Sequence, residues 1–208
     1  MDDFPTIKTQ GLILRALSKQ DVPNVFDIFS RDAVTEHYDC YSYLHESQAA
    51  EQVRKWMASY PESYPAPYLE QGLKGFRWAI AQQGSPNTLI GTCGIHRVDS
   101  HNKSFDIGYE LHPDHWGKGL ATQAISALLE HCFTKNFPFK VNRITAMTDV
   151  VSPRSISVLN KLGFQQEGIL RESEYWKDKF NDSRLFSLLR REWLINQSKM
   201  ETRVKSVM

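Results

Sequence analysis

Between Gly108 and Phe133 the chain reads GYELHPDHWGKGLATQAISALLEHCF: a strand, a tight glycine turn and a long amphipathic helix in direct succession. The turn is Trp116-Gly117-Lys118-Gly119-Leu120-Ala121-Thr122. Glycine tolerates positive φ and lets a ligand approach the backbone closely. A helix that starts at a Gly-x-Gly turn directs unpaired N–H groups and the positive end of its dipole outward. Such a site prefers phosphate or pyrophosphate. Two other phosphate loops are excluded. A Walker A loop needs G-x-x-x-x-G-K-[ST], but His112 stands where its first glycine belongs and Gly119 follows Lys118. A dinucleotide fingerprint needs G-x-G-x-x-G/A, and here Gly117-x-Gly119 leads to Thr122. A turn that merely joins a strand to a helix would use the same residues, so the rest of the chain decides.

The pattern of elements around this turn gives one domain. Gly11–Leu17 reads as a strand, and Ser18, Asp21 and Pro23 open a helix carrying Val25, Phe26, Ile28 and Phe29. Residues Glu46 to Tyr60 form a second helix, with Ala49, Val53, Trp56 and Met57 at helical spacing; the proline-rich stretch from Pro61 to Gly75 reads as a loop. Strands follow at Phe76–Ala81, Leu89–Ile95 and Ser104–Leu111, the first two joined at Gly84-Ser-Pro-Asn87. The helix from Lys118 carries the rows Leu120/Ala124/Leu128/Cys132 and Ile125/Leu129/Phe133, a broad apolar face for packing on a sheet. A strand at Asn142–Thr148 precedes a helix over Ser152–Leu162, with Pro153 at its first position and Gly163 at its end. Gln165–Lys177 and Arg184–Arg191 form a closing hairpin around residues Asp178 to Asp182, and the polar tail from Asn196 is expected to fray. This order predicts an α/β fold, a mixed sheet with helices on both faces, over residues 1–195 with a tail at 196–208.

With 208 residues, such a domain buries roughly 70% of its unfolded surface and needs no disulfide or metal. Its 25 basic and 24 acidic residues give a net charge of +1, which argues against nucleic-acid binding through a strong basic field. Three widely spaced cysteines suit a reducing compartment. The acidic start Met-Asp-Asp-Phe-Pro is unlike a signal peptide and no run is long enough to span a membrane, so a soluble cytoplasmic protein is expected.

The turn fits a family pattern: Trp116-x-x-Gly119-x-Ala121 is similar to Gln/Arg-x-x-Gly-x-Gly/Ala, the acyl-CoA loop of the GNAT N-acetyltransferases, with Trp in the first place as in their ribosomal-protein N-terminal branch. Ser152-Pro-Arg-Ser155-Ile-Ser-Val-Leu-Asn-Lys-Leu-Gly-Phe164 resembles that family's Asn-x-x-Ser-x-x-Val-x-x-Lys-x-Gly-Phe. The opening Thr9–Leu17, and the closing Glu167-Gly-Ile-Leu-Arg171 and Leu185-Phe-Ser-Leu-Leu-Arg190, extend the resemblance over most of the chain. It implies a mostly antiparallel sheet with a central splayed parallel pair, and an acetyl-CoA-dependent transfer to a primary amine. The acceptor would be a protein N-terminal α-amine or a small-molecule amine; a silent coenzyme A-binding module is the reading from another class. No metal is implied, and a homodimer stays open.

The resemblance also assigns residues. The cofactor contacts would be Leu111, His112, Trp116, Gly117, Lys118, Gly119, Leu120, Ala121, Thr122 and Ser152, with the pantetheine arm along Asp106–His112 and an N–H near Leu111 on the carbonyl oxygen. Ser152 stands where the family has Asn, and Leu159 where many members carry a thiolate-protonating tyrosine. Ser155 would lie nearest the departing sulfur. Acetyl transfer needs a neutral amine, so a base must help; Glu174 is the residue implied, with Asp106 and Glu110 on the splayed strand as competitors. His112 and His115 lie in a turn with no third ligand beside them, a poor metal site.

Overall fold

A computed structural model describes residues 4–60, 75–134 and 137–205, with side chains through residue 199. The chain runs β1 (Ile7–Lys8), β2 (Leu12–Ala16), α1 (Val22–Phe29), α2 (Asp32–Thr35), α3 (Glu46–Ala58), β3 (Gly75–Gln82), β4 (Ser85–Asp99), β5 (Ser104–Leu111), α4 (Leu120–Thr134), β6 (Arg143–Asp149), α5 (Pro153–Lys161), β7 (Gln165–Trp176), β8 (Lys179–Leu189) and α6 (Arg190–Lys205). The strands form one sheet in the order β1-β2-β3-β4-β5-β6-β8-β7. Every neighbouring pair is antiparallel except β5 and β6. The expected mixed sheet with one parallel pair is therefore present. The loop expected over Pro61 to Gly75 lies outside the described residues, apart from Gly75, which opens β3.

Side-chain alternation along the strands divides the core into two layers. On one face Leu12, Leu14, Trp78, Ile80, Phe105 and Ile107 pack against the rows of α4, from Ala124 and Ile125 to Cys132 and Phe133. On the other face Leu17, Ala79 and Leu89 meet Val25, Ile28 and Phe29 of α1 and Ala49 and Val53 of α3. The same alternation sends Phe105, Ile107 and Leu111 of β5 toward α4, and Asp106, Gly108 and Glu110 toward α1–α3.

Helix α5 ends as its sequence predicts. Gly163 takes φ +85°, its N–H bonds to the Asn160 carbonyl at 3.1 Å, and the Phe164 N–H bonds back to Leu159 at 3.0 Å. These two bonds satisfy carbonyls that the helix leaves open, and Leu159 and Phe164 are both buried.

The C-terminal region departs from the sequence reading in two places. The last hairpin turns on Lys177 and Asp178, at φ 51° and 60°, rather than on residues 178–182. Two consecutive residues of positive φ make the tight turn that matches strand twist, so β8 begins at Lys179. The second departure is at the end, where Arg190 onward is helix α6 rather than strand and frayed tail. Trp193 is the anchor: it is buried against Phe133, ring centroids 5.4 Å apart, and so fixes the first turns of the helix on the α4 layer.

Candidate active site

The parallel pair of β5 and β6 is short. Ser104, Phe105 and Asp106 pair with Arg143, Ile144 and Thr145, and pairing stops there. Beyond it, β5 stays on β4 through Leu111 while β6 follows β8 through Asp149, so the sheet opens into a wedge. The His112 N–H donates to the Ile90 carbonyl at 2.9 Å on the β4 side. Strand alternation therefore turns the backbone groups of Leu111 and Tyr109 into the wedge. The Leu111 carbonyl there accepts the Trp116 indole N–H at 2.8 Å. A groove of about 900 Å³ continues from the wedge to the glycine turn at one end and the α1–α3 side at the other.

The turn has the geometry that its glycines predict. Gly117 and Gly119 take φ of +72° and +75°, and a Cβ at either would meet nothing within 4 Å. A backbone that opens onto free space at the start of α4 is the arrangement a pyrophosphate requires. Trp116 and Gly117 line the groove, and so do Gly119 through Thr122, Leu111 and Ser152. Two expected contacts do not. The Lys118 ammonium folds back to the Asp114 carbonyl at 2.7 Å. His112 accepts the Asp114 N–H on Nδ1, and its Nε2 stands 3.1 Å from Asp27 without hydrogen-bond geometry. The Arg154 guanidinium lies 4.0 Å from the centre of the Trp116 ring, so α5 brings a cation to the place where the family pattern allows an arginine in the turn itself.

Ser155 lines the groove from the first turn of α5, and its carbonyl accepts the Tyr109 hydroxyl at 3.3 Å. Ser152 is buried and its hydroxyl makes no cap hydrogen bond to the helix. Both serines lie on the α4 side of the sheet. The carboxylates lie on the other side, and each is already engaged. Glu110 is buried and accepts hydrogen bonds from Arg77, Thr92 and the Tyr38 hydroxyl, the last at 3.0 Å. Burial opposes the charge of Arg77, yet Glu110 beside it raises its pKa further above the ordinary value. Burial and then Glu110 push the Tyr38 hydroxyl well up. Asp106 accepts from Thr145 and, at 3.3 Å, from Arg97. Glu174 accepts from the same Arg97 at 3.2 Å and from Ser183 at 3.5 Å.

The sequence reading missed Arg77, Arg97 and His96, all of which line the groove. A signal existed for Arg77: an arginine inside the buried run Phe76-Arg77-Trp78-Ala79-Ile80 demands a buried partner. Ending the strand at Ile95 hid His96, which continues the face of Thr92 and Gly94 by one more residue.

Residues 11–165 match the model of the acetyltransferase (GNAT) domain. The chain belongs to the GNAT acetyltransferase family. It is 32% identical over 187 residues to the uncharacterized N-acetyltransferase YoaA of Bacillus subtilis, a match covering 90% of this chain and 98% of that one. The ribosomal-protein-serine acetyltransferase of Escherichia coli is 32% identical over 99 residues, covering 48% of this chain and 54% of that one. Among solved structures, the ribosomal L7/L12 alpha-N-protein acetyltransferase RimL in complex with coenzyme A superposes with a TM-score of 0.71. That likeness, at 19% identity and covering 89% of this chain and 98% of RimL, concerns the fold. This GNAT enzyme is thus an acyltransferase that uses acetyl-CoA, and its open glycine turn and wedge fit that donor. Among the described residues no helix is long and apolar enough to cross a membrane, and no group of three His, Cys, Asp or Glu is set to hold a metal.

Proposed function

We propose that this acetyltransferase moves the acetyl group of acetyl-CoA to the α-amine of a protein N-terminus in the cytoplasm. The observation that carries the reading is the groove itself, which runs from the glycine turn through the wedge to a mouth lined by carboxylates. A cationic amine is drawn to Glu174 at that mouth, and the chain is 32% identical over 99 residues to a relative named as a ribosomal-protein-serine acetyltransferase. An α-amine has an ordinary pKa near 8, against about 10.4 for lysine, so it asks less of the enzyme's base.

In this reading Gly117 to Thr122 hold the pyrophosphate, Arg154 adds positive charge beside Trp116, and the Leu111 N–H faces the acyl oxygen. Ser155 gives a hydrogen bond to the sulfur as it leaves. Glu174 draws in and orients the acceptor ammonium, held in place by Arg97.

The test is thiol release from acetyl-CoA across a panel of N-terminal ribosomal-protein peptides, polyamines, amino acids and aminoglycosides. Turnover with peptides, lost when their α-amine is blocked, is the expected result. Turnover with small amines alone overturns the N-terminal assignment, and a thermal shift with coenzyme A but no thiol release from any amine favours a silent binding module.

A further inference from the structure

We propose that His96 is the catalytic base of this acetyltransferase, taking the proton that the acceptor ammonium must lose before it attacks; the proposal rests on the transfer to an amine argued above.

Position is the first argument. His96 lies opposite Asp106 in the β4–β5 register, at the last residue before the wedge opens. A methyl group at Gly108, the next position on that face, would stand 3.4 Å from His96 Cε1 and 3.8 Å from Nδ1. The imidazole therefore leans along β5 over the start of the wedge, where glycine leaves room beside it. It is exposed to the groove and reachable by an acceptor.

The second argument concerns what else could serve. Glu110 is closed off by three donors, and Asp106 and Glu174 share Arg97. His37 is bonded to Asp149 at 3.0 Å. The His96 side chain makes no hydrogen bond or ion pair among the described residues, so both ring nitrogens are available. Its charged neighbours are Asp106 on β5, Arg77 on β3, Arg97 on its own strand and Asp39 from the segment after α2. Partial desolvation, with Arg77 and Arg97, outweighs Asp106 and Asp39 and pulls the imidazole below its ordinary value. It is thus neutral, and ready to accept a proton, at neutral pH.

The third argument is the division of labour across the sheet. Thr92, Gly94 and His96 face α1–α3, whereas Ser155 comes from the α4 side. A base on one face and a hydroxyl on the other flank the same gap. His96 removes one proton from the ammonium, and the neutral nitrogen's lone pair forms the C–N bond. As the C–S bond breaks, its electron pair leaves on sulfur. The nitrogen then sheds a second proton to water and the thiolate gains one through Ser155. One ammonium and one thioester become one amide, one thiol and one proton, which His96 returns to solvent.

The experiment compares wild type, His96→Ala and His96→Gln with the best amine of the panel and, separately, with no amine, where water is the acceptor. Both variants should keep acetyl-CoA affinity and lose about 10²- to 10⁴-fold in kcat. In wild type the acidic limb of kcat/KM should fall at a pH below about 6.5, the ordinary histidine value. Activity needs the neutral ring, so it declines as pH falls through that point, and the limb should vanish in both variants. Added imidazole should restore part of the His96→Ala rate. Losses below about fivefold, or an acidic limb that survives in His96→Ala and disappears in Glu174→Gln, overturn the proposal. Turnover with small amines alone overturns the N-terminal reading and leaves the His96 comparison intact. A wild-type chain that releases no thiol with or without amine overturns both.

Discussion

Arg97 Nη2 stands 3.2 Å from Glu174 Oε1 while Nη1 of the same guanidinium stands 3.3 Å from Asp106, so one side chain links β4, β5 and β7 across the mouth of the groove. Arg97 takes φ +49° where the β4–β5 register slips, which is what swings it out of the strand's alternation. Its side chain is 58% exposed, and pairs of this kind contribute about 0–1 kcal/mol. Arg97→Ala should therefore change stability toward urea by less than about 1 kcal/mol. It leaves two carboxylates uncompensated, so the KM of a cationic acceptor should fall while that of acetyl-CoA stays constant. A higher acceptor KM would mean that Arg97 itself touches the acceptor.

The pair of Arg77 and Glu110 behaves in the opposite way. Their side chains are 11% and 4% exposed, and removal of one charge strands the other away from water. Glu110→Ala should cost about 3–5 kcal/mol in equilibrium unfolding, and Arg77→Met combined with Glu110→Leu should cost much less than either change alone. Equal losses in the single and double variants would show that packing, and not charge, is at stake.

Coenzyme A binding should depend on the backbone of the glycine turn more than on its lysine. Gly119→Val places a branched side chain at φ +75°, in the space that the ligand needs, and should abolish binding measured by calorimetry. Lys118→Ala should weaken it only modestly, since the ammonium is turned toward Asp114. Equal loss in both, with folding intact, would assign the site to side-chain charge.

Ser155→Ala should lower kcat and leave the acetyl-CoA KM nearly unchanged, the outcome that the proposed hydrogen bond to the departing sulfur requires. An increase in KM alone would make Ser155 a binding residue.

A chain ending at Ile195 should retain acetyl-CoA affinity and cooperative unfolding, because Trp193 is the buried anchor of α6. Trp193→Ala in the full chain should cost about 3–5 kcal/mol. If truncation at Ile195 unfolds the protein, the later turns of α6 belong to the core.

The division between what was legible in the sequence and what was not follows the range of the interactions. The apolar rows of α4, Pro153 and Gly163 at the ends of α5, and the Gly-x-Gly turn all act within a few residues, so their spacing in the chain carries the structure. Arg97 meets Glu174 across 77 positions and Tyr38 meets Glu110 across 72, and no local pattern encodes such partners. Helix α6 was misread for a related reason. Its composition is polar, and what holds it is one tryptophan docked on Phe133 from a distant helix. The tight turn at Lys177 and Asp178 lacks the glycine that normally announces positive φ, so its position could not be read from residue type.

A sheet that stops pairing after three residues has an internal edge, and that edge differs in kind from an outer one. Paired strands lie about 4.8 Å apart, and inserting another polypeptide strand would require twice that spacing along its whole length. Between β5 and β6 the spacing starts at a single interval at Asp106 and Thr145 and widens only toward Leu111 and Asp149. The taper admits a slender, unbranched chain from its broad end and turns away anything carrying side chains on both flanks. A protein edge of this shape is shielded from strand-by-strand aggregation by its own geometry. The amides of Tyr109 and Leu111, which face the wedge, should exchange with solvent freely until a thin partner completes the sheet, and slow sharply once it does.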